Sequence, residues 1–369
     1  MEMETVETPV AIVDLPTVRR NARRVADYAL QHGIGWRPHV KTHKSLGIAR
    51  IQLESGARGL TVATPREAEV MSAICDDLLL AHPPVGTARI QRVLALPASV
   101  DLTVALDDGG ALDTFAAAAE AADRRVGVLL EVDMGMRRVG VDDLDVLVEL
   151  AGRCASLSHL DYRGILFYPG HIRDPGPAGE ADFQELRRRL ARTLEVLHGA
   201  GLPPRVVSGG STPLLYRSHE LEGLTEMRPG TIIYNDREAL AAGVARPEDL
   251  AYTILATVVS APSPGRVVVD AGSKALSREE FRGPGGGYGA LVSPSGVLVG
   301  RLSEEHGILD LAGLDWAPEV GDRIRIIPNH VCVSVNLQDH IVVLDGDRVE
   351  RWPVEGRGRL PWTPGEGDL

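Results

Sequence analysis

The sequence predicts an α/β protein: an N-terminal (β/α)8 TIM-type barrel followed by a C-terminal antiparallel β domain. Three observations carry this prediction. Apolar strand-like runs alternate with helical segments roughly eight times before residue 245. Those runs end in polar or glycine-containing tails, at the strand C-termini where such barrels keep their chemistry. Beyond residue 245 helical periodicity nearly vanishes, and short runs separated by Gly, Pro and Asp take over. The expected division is a barrel over 14–245 and a β domain over 246–369, joined by an N-terminal strand over 6–13. An open doubly wound sheet is the alternative architecture for the first part.

Taken in order, Thr8 to Val13 reads as a strand, and Asp14 caps a helix at about 16–31 with Pro16 in its first turn. Val18, Ala22, Val25 and Ala29 form the buried face of that helix. The basic stretch Gly35 to Lys44 reads as the next strand. Further strands are expected at Gly59–Ala63, Asp77–Ala81, Thr103–Leu106, Val126–Val132, Gly164–Phe167, Arg205–Val207 and Thr225–Thr231. The clearest helix covers about 181–199, with Phe183, Leu186, Leu190, Leu194 and Leu197 on one face and arginines opposite. In the β domain the runs are Tyr252–Val259, Arg266–Val269, Gly289–Val292, Val297–Gly300, Arg323–Ile327 and His340–Leu344.

Bulk properties narrow the function. The chain has 369 residues, 44% hydrophobic and 24% charged, as expected of an ordinary globular protein of two domains. A net charge of -12 argues against a nucleic-acid binder. No apolar run approaches the ~20 residues of a membrane span. Met1-Glu2-Met3-Glu4 lacks the basic and apolar regions of a signal peptide. Three widely spaced cysteines, Cys75, Cys154 and Cys332, fit a reducing cytoplasm better than a disulfide framework.

Four motifs carry chemistry. In Arg37-Pro38-His39-Val40-Lys41-Thr42-His43-Lys44, alternation along a strand sends His39, Lys41 and His43 to one face and Lys44 to the other. A lysine flanked by cations is suited to a Schiff base; a solvated basic edge strand is the other reading of the same residues. Arg205 to Thr212 is an apolar strand running into Ser208-Gly209-Gly210-Ser211-Thr212, and Arg228-Pro229-Gly230-Thr231 supplies a second small-residue turn. Together they suit a phosphate at the last barrel strands. In Pro328-Asn329-His330-Val331-Cys332, strand spacing puts an imidazole and a thiol on one face, a pair suited to zinc or to simple burial. Asp133 to Val141 joins an acid, a glycine turn and two arginines at a strand end, and Tyr168 stands at the next.

Taken together, the Arg37 to Lys44 string, the Gly135-Met136-Arg137-Arg138-Val139-Gly140 turn and Pro328 to Cys332 resemble one family. It is the D-threonine aldolase / D-serine dehydratase family, within the alanine-racemase-like (fold type III) pyridoxal-phosphate enzymes. The resemblance runs from about Thr8 to Trp352-Pro353-Val354. It implies that Lys41 holds pyridoxal 5'-phosphate covalently, with His39 in the same pocket. It places Arg138 near the cofactor's phenolic oxygen, Tyr168 in the active site, and Ser211, Thr212, Gly230 and Thr231 at the phosphate. Arg228 stands where alanine racemases place an arginine beside the pyridine nitrogen. His330 and Cys332 match the dehydratases' metal ligands, and both are expected to face Lys41 across the substrate.

The expected activity is a metal-dependent lyase on β-hydroxy-D-amino acids. One branch is dehydration to a keto acid and ammonia; the other is retro-aldol cleavage to glycine and an aldehyde. Aldolases of the family carry a carboxylate at the second ligand position, so Cys332 favours the dehydratase branch. It also favours zinc, with manganese or magnesium as alternatives. The resemblance further implies a cytoplasmic homodimer with its active site near the interface, and neither nucleic acid nor membrane as partner. Two other classes share the fold. An amino-acid racemase needs a second base and no metal. A non-catalytic cofactor carrier is a single barrel, which the β domain speaks against.

Overall fold

The computed structural model describes residues 3–174, 176–263, 265–283, 285–311 and 313–363. The chain divides into two compact units. One comprises Arg23–Lys41, Ala49–Gly230 and Gly358–Leu369; the other comprises Met1–Ala22, Thr42–Ile48 and Thr231–Arg357.

The first unit is built on eight parallel strands: Gly35–Trp36, Leu60–Val62, Asp77–Leu80, Asp101–Leu106, Val126–Glu131, Leu160–Leu166, Val206–Gly209 and Glu226–Met227. Several, such as Val126–Glu131, are nearly all apolar at the centre because parallel strands are covered on both faces. The last strand pairs with the first, Gly35 opposite Glu226. A parallel bridge between His39 and Thr61 joins the chain beyond Trp36 to Leu60–Val62, so the sheet closes into a barrel. An open sheet is thereby excluded. Leu79, Ala105, Leu129 and Leu166 form a buried apolar cluster contributed by four of the strands.

Three of the helices between strands start at side-chain caps. Thr64, Asp108 and Asp143 accept the free backbone N–H groups at the starts of Pro65–Met71, Gly109–Ala121 and Leu144–Ser156. The helix Pro177–Gly199 buries Phe183, Leu186, Leu190 and Leu197, and pairs Arg188 and Arg189 with Glu185 on its exposed side.

The second unit holds a nine-stranded sheet. Its long strand Tyr252–Ser263 pairs antiparallel with both Arg323–Pro328 and Arg266–Val269. Gly289–Leu291, Leu298–Leu302 and Gly307–Asp310 complete a closed antiparallel ring. Val10–Asp14 lies antiparallel to Tyr252–Ser263 and parallel to His340–Asp345, which pairs in turn with Arg348–Pro353. Ile12, Leu255 and Val342 make the core of that extension.

Two local expectations fail. The stretch Gly35 to Lys44 is a strand only over Gly35–Trp36; Val40–Thr42 is a turn of 3-10 helix, and Lys44 has a left-handed φ of 53°. His39 Nδ1 accepts the N–H of Lys41, and His43 Nδ1 accepts the N–H of Ser45. Such side-chain bonds two residues onward replace a strand ladder by turns. The alternation that would set His39, Lys41 and His43 on one face and Lys44 on the other therefore does not operate.

Likewise His330 and Cys332 are not i, i+2 neighbours on a strand. The strand ends at Pro328, His330 caps the helix Val331–Asn336, and Cys332 lies in its first turn. The valines that suggest a strand are overridden by Asp236, which accepts the Val331 N–H at 3.0 Å.

Candidate active site

In the barrel unit two of the expected residues, Lys41 and Arg138, stand beside Tyr168, just past the strand Leu160–Leu166. The Lys41 Nζ lies 5.5 Å from the centroid of its ring and the Arg138 guanidinium carbon 4.9 Å. Both distances suit cation–π attraction. Arg138 is carried by a loop whose base is pinned by Val141, which donates to the Glu131 carbonyl at 2.8 Å and accepts from Asp133 N–H at 2.9 Å. The Asp133 carboxylate accepts the N–H groups of Gly135 and Arg137, holding the turn.

Arg228 is 7% exposed. Its NH1 donates to Ser208 Oγ at 2.6 Å and its NH2 to the Phe167 carbonyl at 2.8 Å. Burial pulls its pKa down, opposed by Glu226 and Glu131. Ser211 is 3% exposed, and its hydroxyl has no hydrogen-bond partner among the described residues. It follows Gly209 and Gly210. A side chain at Gly209 would overlap the Phe167 ring, and Gly210 has a φ of 87°. Thr212 and Gly230 follow the last two barrel strands.

Glu131 was not anticipated. It ends the strand Val126–Glu131, is 3% exposed, and leaves Oε2 without a partner among the described residues. Burial pushes its carboxyl up to about 7, against the opposing charges of Arg228 and Arg138. A glutamate at the end of an otherwise apolar strand is a signal the sequence does contain.

In the other unit, Cys332 Sγ lies 3.2 Å from Thr42 Oγ1 and 3.7 Å from Thr231 Oγ1. His330 and Cys332 are hydrogen-bonded side chain to side chain. The Cys332 thiolate pushes the His330 imidazole up to about 11, burial opposes, and Asp236 adds to the rise. Asp236 Oδ2 is 3.2 Å from His330 Nδ1. Asp236 is fully buried and also caps the helix Arg237–Ala241 through Ala239 N–H. Arg237 NH1 holds Asn329 Oδ1 at 2.6 Å, fixing the residue before His330. No group of three or more His, Cys, Asp or Glu suited to a metal gathers among the described residues. His330 and Cys332, the pair expected to hold a metal, stand together. Asp236 was missed because nothing local links it to His330.

These arrangements fit both implied groups. An orphaned buried hydroxyl at Ser211, above two glycines, suits a phosphate oxygen. An imidazole and a thiolate, the imidazole backed by a carboxylate, suit a divalent metal that keeps positions open for substrate.

Comparison with known proteins identifies the family. Residues 13–238 match the family model described as alanine racemase, N-terminal domain, and 251–344 match a putative serine dehydratase domain. The D-threo-3-hydroxyaspartate dehydratase of Delftia sp. (strain HT23) is 34% identical, covering 89% of this chain and 92% of its own. The crystal structure of D-threonine aldolase from Filomicrobium marinum superposes with a TM-score of 0.89 at 31% identity, over 96% of this chain and 97% of that one. A D-threo-3-hydroxyaspartate dehydratase mutant solved in a metal-free form gives 0.88 at 32% identity, over 98% and 99%. The chain belongs to the D-threonine aldolase / D-serine dehydratase family of alanine-racemase-like enzymes.

Proposed function

We propose that the chain is a pyridoxal-phosphate-dependent lyase of β-hydroxy-D-amino acids that works by metal-assisted dehydration. The observation that carries the dehydratase branch is Cys332 beside His330, where a carboxylate marks the aldolases. A thiolate ligand suits zinc.

Pyridoxal phosphate, when bound, supplies a sink for the electron pair left on the substrate's α-carbon. A divalent metal, when bound, supplies Lewis acidity at the β-hydroxyl. In this reading Lys41 holds the cofactor and, once displaced by the substrate, takes the α-proton on Nζ. Tyr168 presents its ring face to Lys41 and Arg138 and keeps both cations aimed. Arg138 meets the phenolic oxygen, Arg228 the ring nitrogen, and His39 belongs to the same pocket. Ser211, Thr212, Gly230 and Thr231 bind the phosphate, the first with a hydroxyl that has no other described partner. His330 and Cys332 hold the metal, with Asp236 fixing the imidazole. The family resemblance supports placing the two groups at one substrate. Loss of the β-hydroxyl leaves an enamine that hydrolyses to a keto acid and ammonia.

The same reading includes a homodimer, supported by the family resemblance, and a cytoplasmic setting, supported by three free cysteines. No helix among the described residues is long and apolar enough to cross a membrane.

Keto-acid and aldehyde assays on D-serine, D-threonine and D-3-hydroxyaspartate test the branch. Keto acid with equimolar ammonia is expected; glycine with an aldehyde as the main products would assign the chain to the aldolases instead.

A further inference from the structure

The fingerprint arginine Arg37 has no part in the chemistry above, yet the barrel invests heavily in it. Its Nε donates to both oxygens of Glu226, at 3.1 and 3.0 Å. Its NH1 and NH2 donate to Asp77 Oδ1 at 2.6 Å and Oδ2 at 2.9 Å. Glu226 is 1% exposed and receives the Ser208 hydroxyl on Oε1 at 2.6 Å. Ser208, fully buried, in turn accepts Arg228 NH1 at 2.6 Å.

An unbroken hydrogen-bonded chain therefore runs Asp77, Arg37, Glu226, Ser208, Arg228. It begins at the first residue of the strand Asp77–Leu80, at the N-terminal end of the barrel. It ends just past the strand Glu226–Met227, at the opposite end, where Tyr168 and Arg138 lie. Burial pushes the Glu226 carboxyl up, but the charge of Arg37 and the Ser208 hydroxyl more than offset it and leave it below its ordinary value. An ionised carboxylate thus stands one hydroxyl away from Arg228. Ser208 is the link that makes both bonds possible, because a hydroxyl donates once and still accepts.

We propose that Ser208 is a positioning residue of the cofactor pocket, coupling the Arg228 guanidinium to the Glu226–Arg37 pair and so fixing where Arg228 meets the pyridine ring. The inference rests on the reading of Arg228 as the ring's partner. It gives Arg37 a task as well: to hold Glu226 ionised and aimed at Ser208. Without the hydroxyl, Arg228 keeps only its bond to the Phe167 carbonyl among these contacts, and Glu226 loses a donor.

The test uses Ser208→Ala, Ser208→Thr and Arg228→Lys beside the native protein. Two quantities are read: the dissociation constant of pyridoxal phosphate from titration of the cofactor-free protein, and the pH midpoint of the bound cofactor's visible band. Ser208→Ala is expected to weaken binding by about tenfold, the scale of a hydrogen bond to a charged group. It is also expected to move the midpoint by at least about half a pH unit. Ser208→Thr, which keeps the hydroxyl, should return both readings to near native values. Arg228→Lys should move both in the same direction as Ser208→Ala.

If Arg228→Lys moves both readings and Ser208→Ala moves neither, the coupling is wrong while the role of Arg228 stands. If neither substitution moves them, the role of Arg228 falls and the inference with it. If Ser208→Thr fails to restore what Ser208→Ala loses, the loss belongs to packing and the proposal is overturned. Should Ser208→Ala yield no folded protein, Ser208→Cys carries the test. Its thiol is a poorer donor and acceptor, so unchanged readings would overturn the proposal equally.

Discussion

His330 turns Nδ1 toward Asp236, 3.2 Å from Oδ2, and Asp236 is fully buried. The same carboxylate accepts the backbone N–H of Val331 at 3.0 Å and of Ala239 at 2.9 Å. One side chain therefore starts two helices and orients the imidazole at the head of one of them. With Nδ1 engaged by Asp236, Nε2 is the ring nitrogen that would face a metal in the proposed site, in the carboxylate–histidine–metal arrangement common to zinc sites.

Asp236→Asn keeps an oxygen for one of the two caps but removes the charge that orients His330. Metal affinity, measured by competition with a chromophoric chelator, is expected to fall by about 10- to 100-fold. The far-ultraviolet circular dichroism spectrum should be unchanged. Native affinity in the variant would mean that Asp236 serves the helices alone.

Cys332→Asp places a carboxylate where the family resemblance implies that aldolases have one. Thiolate prefers zinc and carboxylate tolerates manganese and magnesium, so the variant should bind zinc more weakly and manganese relatively better. Metal content after dialysis against an equimolar mixture reads this directly. An unaltered zinc preference would remove Cys332 from the donor set.

Glu131 makes stability depend on pH. Its carboxyl sits at about 7 in the folded chain against an ordinary 4.5, so the unfolded chain releases its proton first. Below about pH 4.5 both states are protonated and the group is neutral to stability. Stability then falls as pH rises through this window, by on the order of 3 kcal/mol, and levels off above 7. Glu131→Gln does not titrate. The melting temperature of the cofactor-free variant should therefore rise relative to the native protein between pH 5 and pH 8. A difference that does not change with pH would show that Glu131 is not perturbed.

The barrel was legible because parallel strands covered on both faces, such as Val126–Glu131, read as apolar runs closed by polar tails. Asp14 was legible as a cap, and its carboxylate does accept the Thr17 N–H. Arg348–Pro353 was not, because a half-exposed sheet-edge strand with Arg348, Glu350 and Arg351 lacks a buried pattern. The geometry of Lys41 escaped because His39 and His43 bond to nearby backbone and bend the chain out of the strand. Motifs named His330, Cys332, Ser211 and Arg228, but not their supports. Asp236 lies 95 residues from Val331, and Ser208 meets Glu226 and Arg228 only when the last barrel strands pair. Contacts of that range leave no local periodicity to read.

In the proposed function this chain eliminates the β-hydroxyl of a D-amino acid with the help of a metal at His330 and Cys332. The most direct measurement is keto-acid release from D-3-hydroxyaspartate by the cofactor-loaded protein, before and after chelation with removal verified by elemental analysis. Release in the loaded protein, loss on metal removal and recovery when zinc is returned are expected. Release undiminished in the verified metal-free protein would contradict it.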